Sequence, residues 1–152
     1  MLIRPAVEDD YKEAMDLVWE VFSRFNAPEY SDEGIRNFRL FLEDGTLKKM
    51  FRTGDYRIFV FTVEDRIEGV ISLRNQNHIS LLFVNEKYQK KGVGSRLLRY
   101  LCRYCREWEE QEYITVNSSP YAVGFYHKFG FRDTDAVRFS DGISYTPMKY
   151  FL

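Results

Sequence analysis

No stretch of this 152-residue chain approaches the ~18 consecutive apolar residues of a membrane-spanning helix, so no membrane role is expected. Residues Met1 to Asp10 carry acids where a secretory leader needs a basic start and an apolar run, which makes a cytoplasmic location the expectation. Cysteine is scarce: Cys102 and Cys105 stand alone, with no second pair and no nearby histidine. That is a poor zinc site, so the two read as small hydrophobes packed in a helix, and no metal is expected. An excess of one charge is missing too. Lys and Arg number 22 against 23 Asp and Glu, a net charge of −1, which argues against a dedicated nucleic-acid partner. Internal repeats, linkers and low-complexity segments are absent as well.

What is present suits one α/β domain over residues 1–152, with function inside that fold or at the interface of a homodimer. Hydrophobic residues make up 45% and charged residues 30%, enough to build a core and too balanced for disorder. Aromatic residues reach 17%, with 13 Phe and 11 Tyr. That exceeds the needs of a core this size and points to an apolar pocket with hydroxyl handles.

Periodicity orders the elements. Leu2 to Ala6 reads as a strand closed by Pro5. From Tyr11 to Phe25 the apolar positions Ala14, Leu17, Val18, Val21, Phe22 and Phe25 recur at three and four, a helix with one buried stripe. Ser31 caps a second helix through Ile35, Phe38 and Leu42, Gly45 interrupts it, and Leu47 to Phe51 suggests a short turn. The period then changes to two: Tyr56–Val63, Ile67–Leu73 and His78–Val84 are strands. A helix follows Gly94, Glu112–Asn117 is a strand, Pro120–Phe129 a helix stopped by Gly130, and residues 131–152 hold two strands around positions 141 and 142.

The sharpest chemistry lies in Gln89-Lys90-Lys91-Gly92-Val93-Gly94-Ser95, where a strand hands over to a helix. Glycines there let backbone N–H groups approach an anion, and the helix N-terminus adds partial positive charge; a tight connection with no ligand is the alternative. Lys87, Lys90, Lys91, Arg96, Arg99, Arg103 and Arg106 cluster around this loop, with Glu86 the one acid before Glu107. Lys90, Lys91 and Arg96 are the ligand candidates, and Arg99, Arg103 and Arg106 read mainly as a solvated helix face. Walker A and the dinucleotide fingerprint both fail, the latter because Leu97 stands where it needs glycine.

Gln89-Lys90-Lys91-Gly92-Val93-Gly94 resembles the Q/R-x-x-G-x-G/A motif of the GNAT superfamily of N-acetyltransferases. Ala122-Val123-Gly124-Phe125-Tyr126-His127-Lys128-Phe129-Gly130-Phe131 is similar to that family's A-x-x-x-Y-x-x-x-G-F segment. The resemblance implies a mixed, mostly antiparallel sheet of about six or seven strands, about four flanking helices, and central strands splayed at a coenzyme site. It implies acetyl-coenzyme A as co-substrate, held by Phe83, Val84, Gln89, Lys90, Lys91, Gly92, Val93, Gly94, Ser95, Arg96, Asn117 and Tyr126. The Val84 N–H would face the developing oxyanion, and Tyr126 would protonate the departing thiolate.

His78 is the candidate base: it lies six residues before Val84 and Ser80 four, and even offsets along a strand share a face. Glu20, Glu29, Glu33 and Glu68 are reserves. His127 should point to solvent, Ser119 should cap the following helix, and Lys128 reads as a solubilising group. The acceptor would be a small-molecule or peptide amine, met by Trp19, Phe22, Phe25, Tyr30, Phe38, Phe41, Phe139 and Tyr145, with Glu20, Glu29, Asp32, Glu33, Asp135 and Asp141 to attract its charge. A coenzyme-binding sensor or scaffold without turnover is the alternative, and an RNA binder a more distant one.

Overall fold

The computed structural model describes residues 1–140 and 142–152. Strand β1 (Leu2–Pro5) ends at its proline, and α1 (Tyr11–Phe25) follows. Asp10 fixes the entry: it accepts from the Val7 N–H at 2.7 Å and pairs with Arg4 at 2.7 Å, and that partner lowers its carboxyl below the ordinary range. Helix α1 buries Ala14, Leu17, Val18, Val21 and Phe22, the stripe its spacing predicts. Helix α2 (Asp32–Glu43) starts at Ser31, whose hydroxyl accepts from the Gly34 N–H at 3.1 Å.

The short turn expected at Leu47–Phe51 is a full helix, α3 (Gly45–Thr53). Asp44 caps it by accepting from the Thr46 N–H at 3.1 Å, and Gly54, with φ 86°, closes it in the left-handed conformation. Strands β2 (Tyr56–Val63), β3 (Arg66–Arg74) and β4 (His78–Val84) then make an antiparallel meander. Next come α4 (Val93–Glu107), β5 (Tyr113–Ser118), α5 (Val123–Phe129), β6 (Arg132–Asp133), β7 (Arg138–Ser140) and β8 (Ile143–Phe151). The described residues thus hold eight strands, β6 being the addition to those expected, and α3 adds a helix.

The sheet runs β1-β2-β3-β4-β5-β8-β6, with β7 on β8. Helices α1, α2 and α3 cover one face over Val18, Leu42, Leu47, Tyr56, Val60 and Val70; α4 and α5 cover the other over Phe59, Ile71, Leu97, Leu101, Ile114 and Met148. Cys102 and Cys105 belong to the second layer, where burial raises their thiols to about 11 and about 12.

Strands β4 and β5 are parallel and pair only at His78↔Thr115 and Ile79↔Val116. Beyond these, β4 continues to Val84 and β5 to Ser118 with no register between them, so the sheet splays into a V open to both helical layers. The β3–β4 register also slips: Ser72 faces Leu81 and Leu73 faces Ile79, which leaves Ser80 as the extra residue of a bulge.

Candidate functional site

Two strand edges face each other across the V. Antiparallel partners alternate between hydrogen-bonded and non-bonded pairs. Asn85 donates its N–H to the Glu68 carbonyl at 2.9 Å, so the next pair, Gly69↔Val84, is non-bonded and Val84 turns its N–H and C=O away from β3 into the gap. On the opposite edge Thr115 donates its N–H to the Asn77 carbonyl at 2.9 Å, and Asn117, two residues on, presents its backbone to the same side. Gln89 fastens the end of β4 by donating its Nε2 to the Val84 carbonyl at 2.9 Å, while its Oε1 accepts from the Tyr121 hydroxyl at 3.3 Å.

The glycine loop forms the mouth of the gap. Lys90 has φ 60° and Gly92 φ 81°, and a Cβ on Gly92 would meet nothing within 4 Å. Both residues leave the chain free to turn sharply into α4, whose first-turn N–H groups at Val93, Gly94 and Ser95 precede any helical carbonyl. The resulting cleft has a volume of about 1020 Å³.

Of the residues expected at the coenzyme site, Phe83, Val84, Gln89, Lys90, Gly92, Gly94, Ser95, Asn117 and Tyr126 line this cleft. Three do not. Val93 is 4% exposed within the core, Lys91 points outward, and Arg96 lies over the Phe61 ring, 5.7 Å from its centroid. Arg99 lines the cleft in place of Arg96, because it stands one turn beyond Ser95 whereas Arg96 is rotated by about 100°. Lys128 lines it too, beside Phe125 and Phe129. Their three-and-four spacing on α5 is the signal that would have flagged Lys128. Asn26, Tyr121 and Tyr150 also reach the cleft from segments that carry no motif.

Tyr126 is 4% exposed and sits edge-on to Phe131, centroids 5.1 Å apart. Its hydroxyl makes no hydrogen bond among the described residues, and burial raises its pKa far above the ordinary tyrosine value. The group is therefore a neutral O–H at any physiological pH.

The face-sharing expected for His78, Ser80 and Val84 does not hold. Ile79 and Val84 pack in the α4–α5 layer and Leu81 in the α1–α3 layer, an exchange of sides that the extra residue Ser80 imposes. His78 lies at the closed end of the V, is not among the residues lining the cleft, and bonds through Nδ1 to the Thr115 hydroxyl at 2.8 Å. Burial, assisted by the Arg74 charge, pushes its pKa down to about 4. Ser80 does line the cleft, and its hydroxyl accepts from Tyr56 at 2.8 Å; that phenol shares a second hydrogen bond of 2.7 Å with Ser72.

Toward the α1–α3 layer the cleft is walled by Val21, Phe22, Asn26, Tyr30, Phe38 and Phe83. Trp19, Phe25 and Phe41 pack behind this wall, and Phe139 is 74% exposed on β7. None of Tyr145, Glu20, Glu29, Asp32, Glu33, Glu68 and Asp135 lines the cleft, and Asp141 lies outside the described residues. Ser119 makes no cap bond; its hydroxyl instead accepts from the Asn26 amide at 3.2 Å, tying the end of α1 to the end of β5. His127 pairs with Asp133 at 2.6 Å on the surface, as its position beside Tyr126 suggests. A second hollow of about 520 Å³, between α3 and β2, includes Arg52, Arg57 and Tyr104 but has no opposed strand edges.

Comparison with known proteins gives one consistent result. The sequence model of the "Acetyltransferase (GNAT) domain" matches residues 26–152. Among solved structures, a GCN5-related N-acetyltransferase from Rhodopseudomonas palustris superposes with a TM-score of 0.85 at 22% identity, covering 99% of this chain and 95% of that one. The PaiA N-acetyltransferase of Thermoplasma acidophilum, solved with coenzyme A, gives a TM-score of 0.81 at 19% identity, covering 99% and 98%. A ribosomal-protein-alanine N-acetyltransferase from Brucella melitensis gives 0.68 at 18% identity over 100% of both chains.

Proposed function

The chain belongs to the GNAT acetyltransferase family, and from that premise we propose that it moves an acetyl group from acetyl-coenzyme A to a primary amine by direct attack within a ternary complex. The observation that carries this reading is the V between β4 and β5, with the glycine loop at its mouth and the Tyr126 hydroxyl, unbonded among the described residues, beside it. Relatives solved with coenzyme A support the choice of donor.

In this proposal the first-turn N–H groups of α4 hold the pyrophosphate, and Lys90, Arg99 and Lys128 balance its charge. The backbone groups of Val84 and Asn117 that face the gap hold the pantetheine arm as an added strand would be held. The Val84 N–H donates to the carbonyl oxygen as negative charge develops on it. A carbon–nitrogen bond forms and the carbon–sulfur bond breaks; Tyr126 donates its proton to the departing sulfur and is reprotonated from solvent. The proton lost by the amine passes to water in the open cleft, because His78, pushed down to about 4, is a weak base and lies at the closed end of the V, away from the cleft lining. Holding both reactants in one geometry supplies much of the acceleration.

The test is thiol release from acetyl-coenzyme A across polyamines, aryl amines, amino acids, aminoglycosides and peptide N-termini, run beside calorimetric titration with coenzyme A. Amine-dependent release with coenzyme binding supports the proposal. Tight coenzyme binding with no release for any class overturns it in favour of a sensor or scaffold.

A further inference from the structure

We infer that the acceptor is a monoamine with an aromatic or bulky apolar body, seated against α1, α2 and β4; the inference rests on the acetyl-transfer reading above. The cleft has two chemically different ends. Its cations, Lys90, Arg99 and Lys128, all come from the glycine loop, α4 and α5. The opposite end, under α1 and α2, is where an amine must enter to meet a thioester lying along Val84.

That end is an aromatic wall. Phe22 is its floor, 1% exposed, with Phe38 stacked on it at 4.1 Å between centroids and an interplanar angle of 26°. Tyr30 meets Phe22 edge-on at 5.0 Å and 88°, and Phe83 flanks Phe38 at 6.0 Å. Phe38, Tyr30 and Phe83 are half-buried, so each still presents ring surface to the cleft. An aromatic or branched apolar group gains there by burial and by offset or edge contacts.

Charge excludes the other large class of amines. A polyamine or aminoglycoside brings several ammonium groups, which carboxylates hold most strongly. Among the described residues no Asp or Glu lines the cleft, and Glu20, Glu29, Asp32 and Glu33 on the neighbouring helices are solvent-exposed. A second ammonium would meet ring faces but no carboxylate, in a cleft whose charged side chains among the described residues are all cationic. The neutral polar groups on this side, Asn26 and the Ser80 hydroxyl held by Tyr56, suffice to orient one amine.

The test measures kcat/KM by thiol release for 2-phenylethylamine and tryptamine against spermidine and kanamycin, with Phe38→Ala and Phe38→Leu beside the parent. The two arylalkylamines are expected to exceed both polycations by at least about tenfold, the scale of one unpaired or well-packed group. Phe38→Ala should raise KM for tryptamine about tenfold with KM for acetyl-coenzyme A unchanged, and Phe38→Leu, which keeps apolar volume and the fold, should recover most of the loss. Spermidine or kanamycin turned over as well as the two arylalkylamines, or an unchanged tryptamine KM in folded Phe38→Ala, overturns the acceptor assignment and leaves acetyl transfer standing. No thiol release with any amine overturns acetyl transfer itself, and this assignment with it.

Discussion

Tyr126 and His78 both lose water on folding, and in each the uncharged form gains: the phenol pKa rises and the imidazole pKa falls. Tyr126 thereby rests as a neutral O–H at neutral pH, the protonation state that the proposed proton donation requires. Tyr126→Phe should lower kcat roughly 100-fold, the scale of a general acid, with coenzyme affinity nearly unchanged. Full turnover in that variant would remove the hydroxyl from the chemistry. His78 has a pH consequence. Its pKa is about 4 in the folded chain against 6.5 when unperturbed, so the unfolded chain takes up a proton that the folded chain refuses. Stability from this source is complete above pH 6.5, falls as pH drops through the window, and falls no further below about 4. His78→Gln keeps a group able to bond Thr115 and should flatten that part of a Tm-against-pH curve. The same variant should leave the acid limb of the kcat profile in place; a displaced acid limb would make His78 the base after all.

Elements explain which of the expected residues meet. Helix α4 presents Ser95 and Arg99 to the cleft and turns Arg96 onto Phe61, a distinction the 3.6-residue repeat contains once the orientation of Ser95 is known. The bulge at Ser80 has no such signal, since it depends on how β3 and β4 pair. The glycine loop separates two uses of glycine. Gly92 holds φ 81° with open space around its missing Cβ, so Gly92→Ala carries a backbone cost of about 1 kcal/mol. It should lower Tm by roughly 2–4 °C and weaken coenzyme binding as its methyl enters the mouth of the cleft. Gly94 lies inside the helix, where a Cβ would sit 3.4 Å from the Phe125 ring. Gly94→Ala should therefore change Tm less than Gly92→Ala in the same scan, and the reverse order would contradict the assigned backbone roles.

On the scale of the whole molecule, charge and splay act together. The net charge of −1 hides a cleft whose charged lining is Lys90, Arg99 and Lys128 among the described residues. Coenzyme A at 100 times its Kd should stabilise the folded chain by about 2.7 kcal/mol, roughly 5–10 °C in Tm. Raising ionic strength from ~0.05 to ~0.5 M should weaken that binding, because part of each phosphate contact is screened. A titration unaffected by salt would place the phosphates away from these cations.

The sequence by itself determined the local repeats and their punctuation: the strands of the meander, the stripe on α1, the Ser31 cap, and the spacing of Gly92, Gly94 and Tyr126. These follow from allowed backbone angles and from periods of 2 and 3.6, which act between near neighbours. Only the tertiary structure decided that β4 and β5 part after Ile79, that His78 is turned from Val84's face, that Arg99 and Lys128 enter the cleft, and that the Tyr126 hydroxyl has no hydrogen-bond partner among the described residues. Each of these depends on register, rotation or burial set between segments distant in the chain, where no local period reaches.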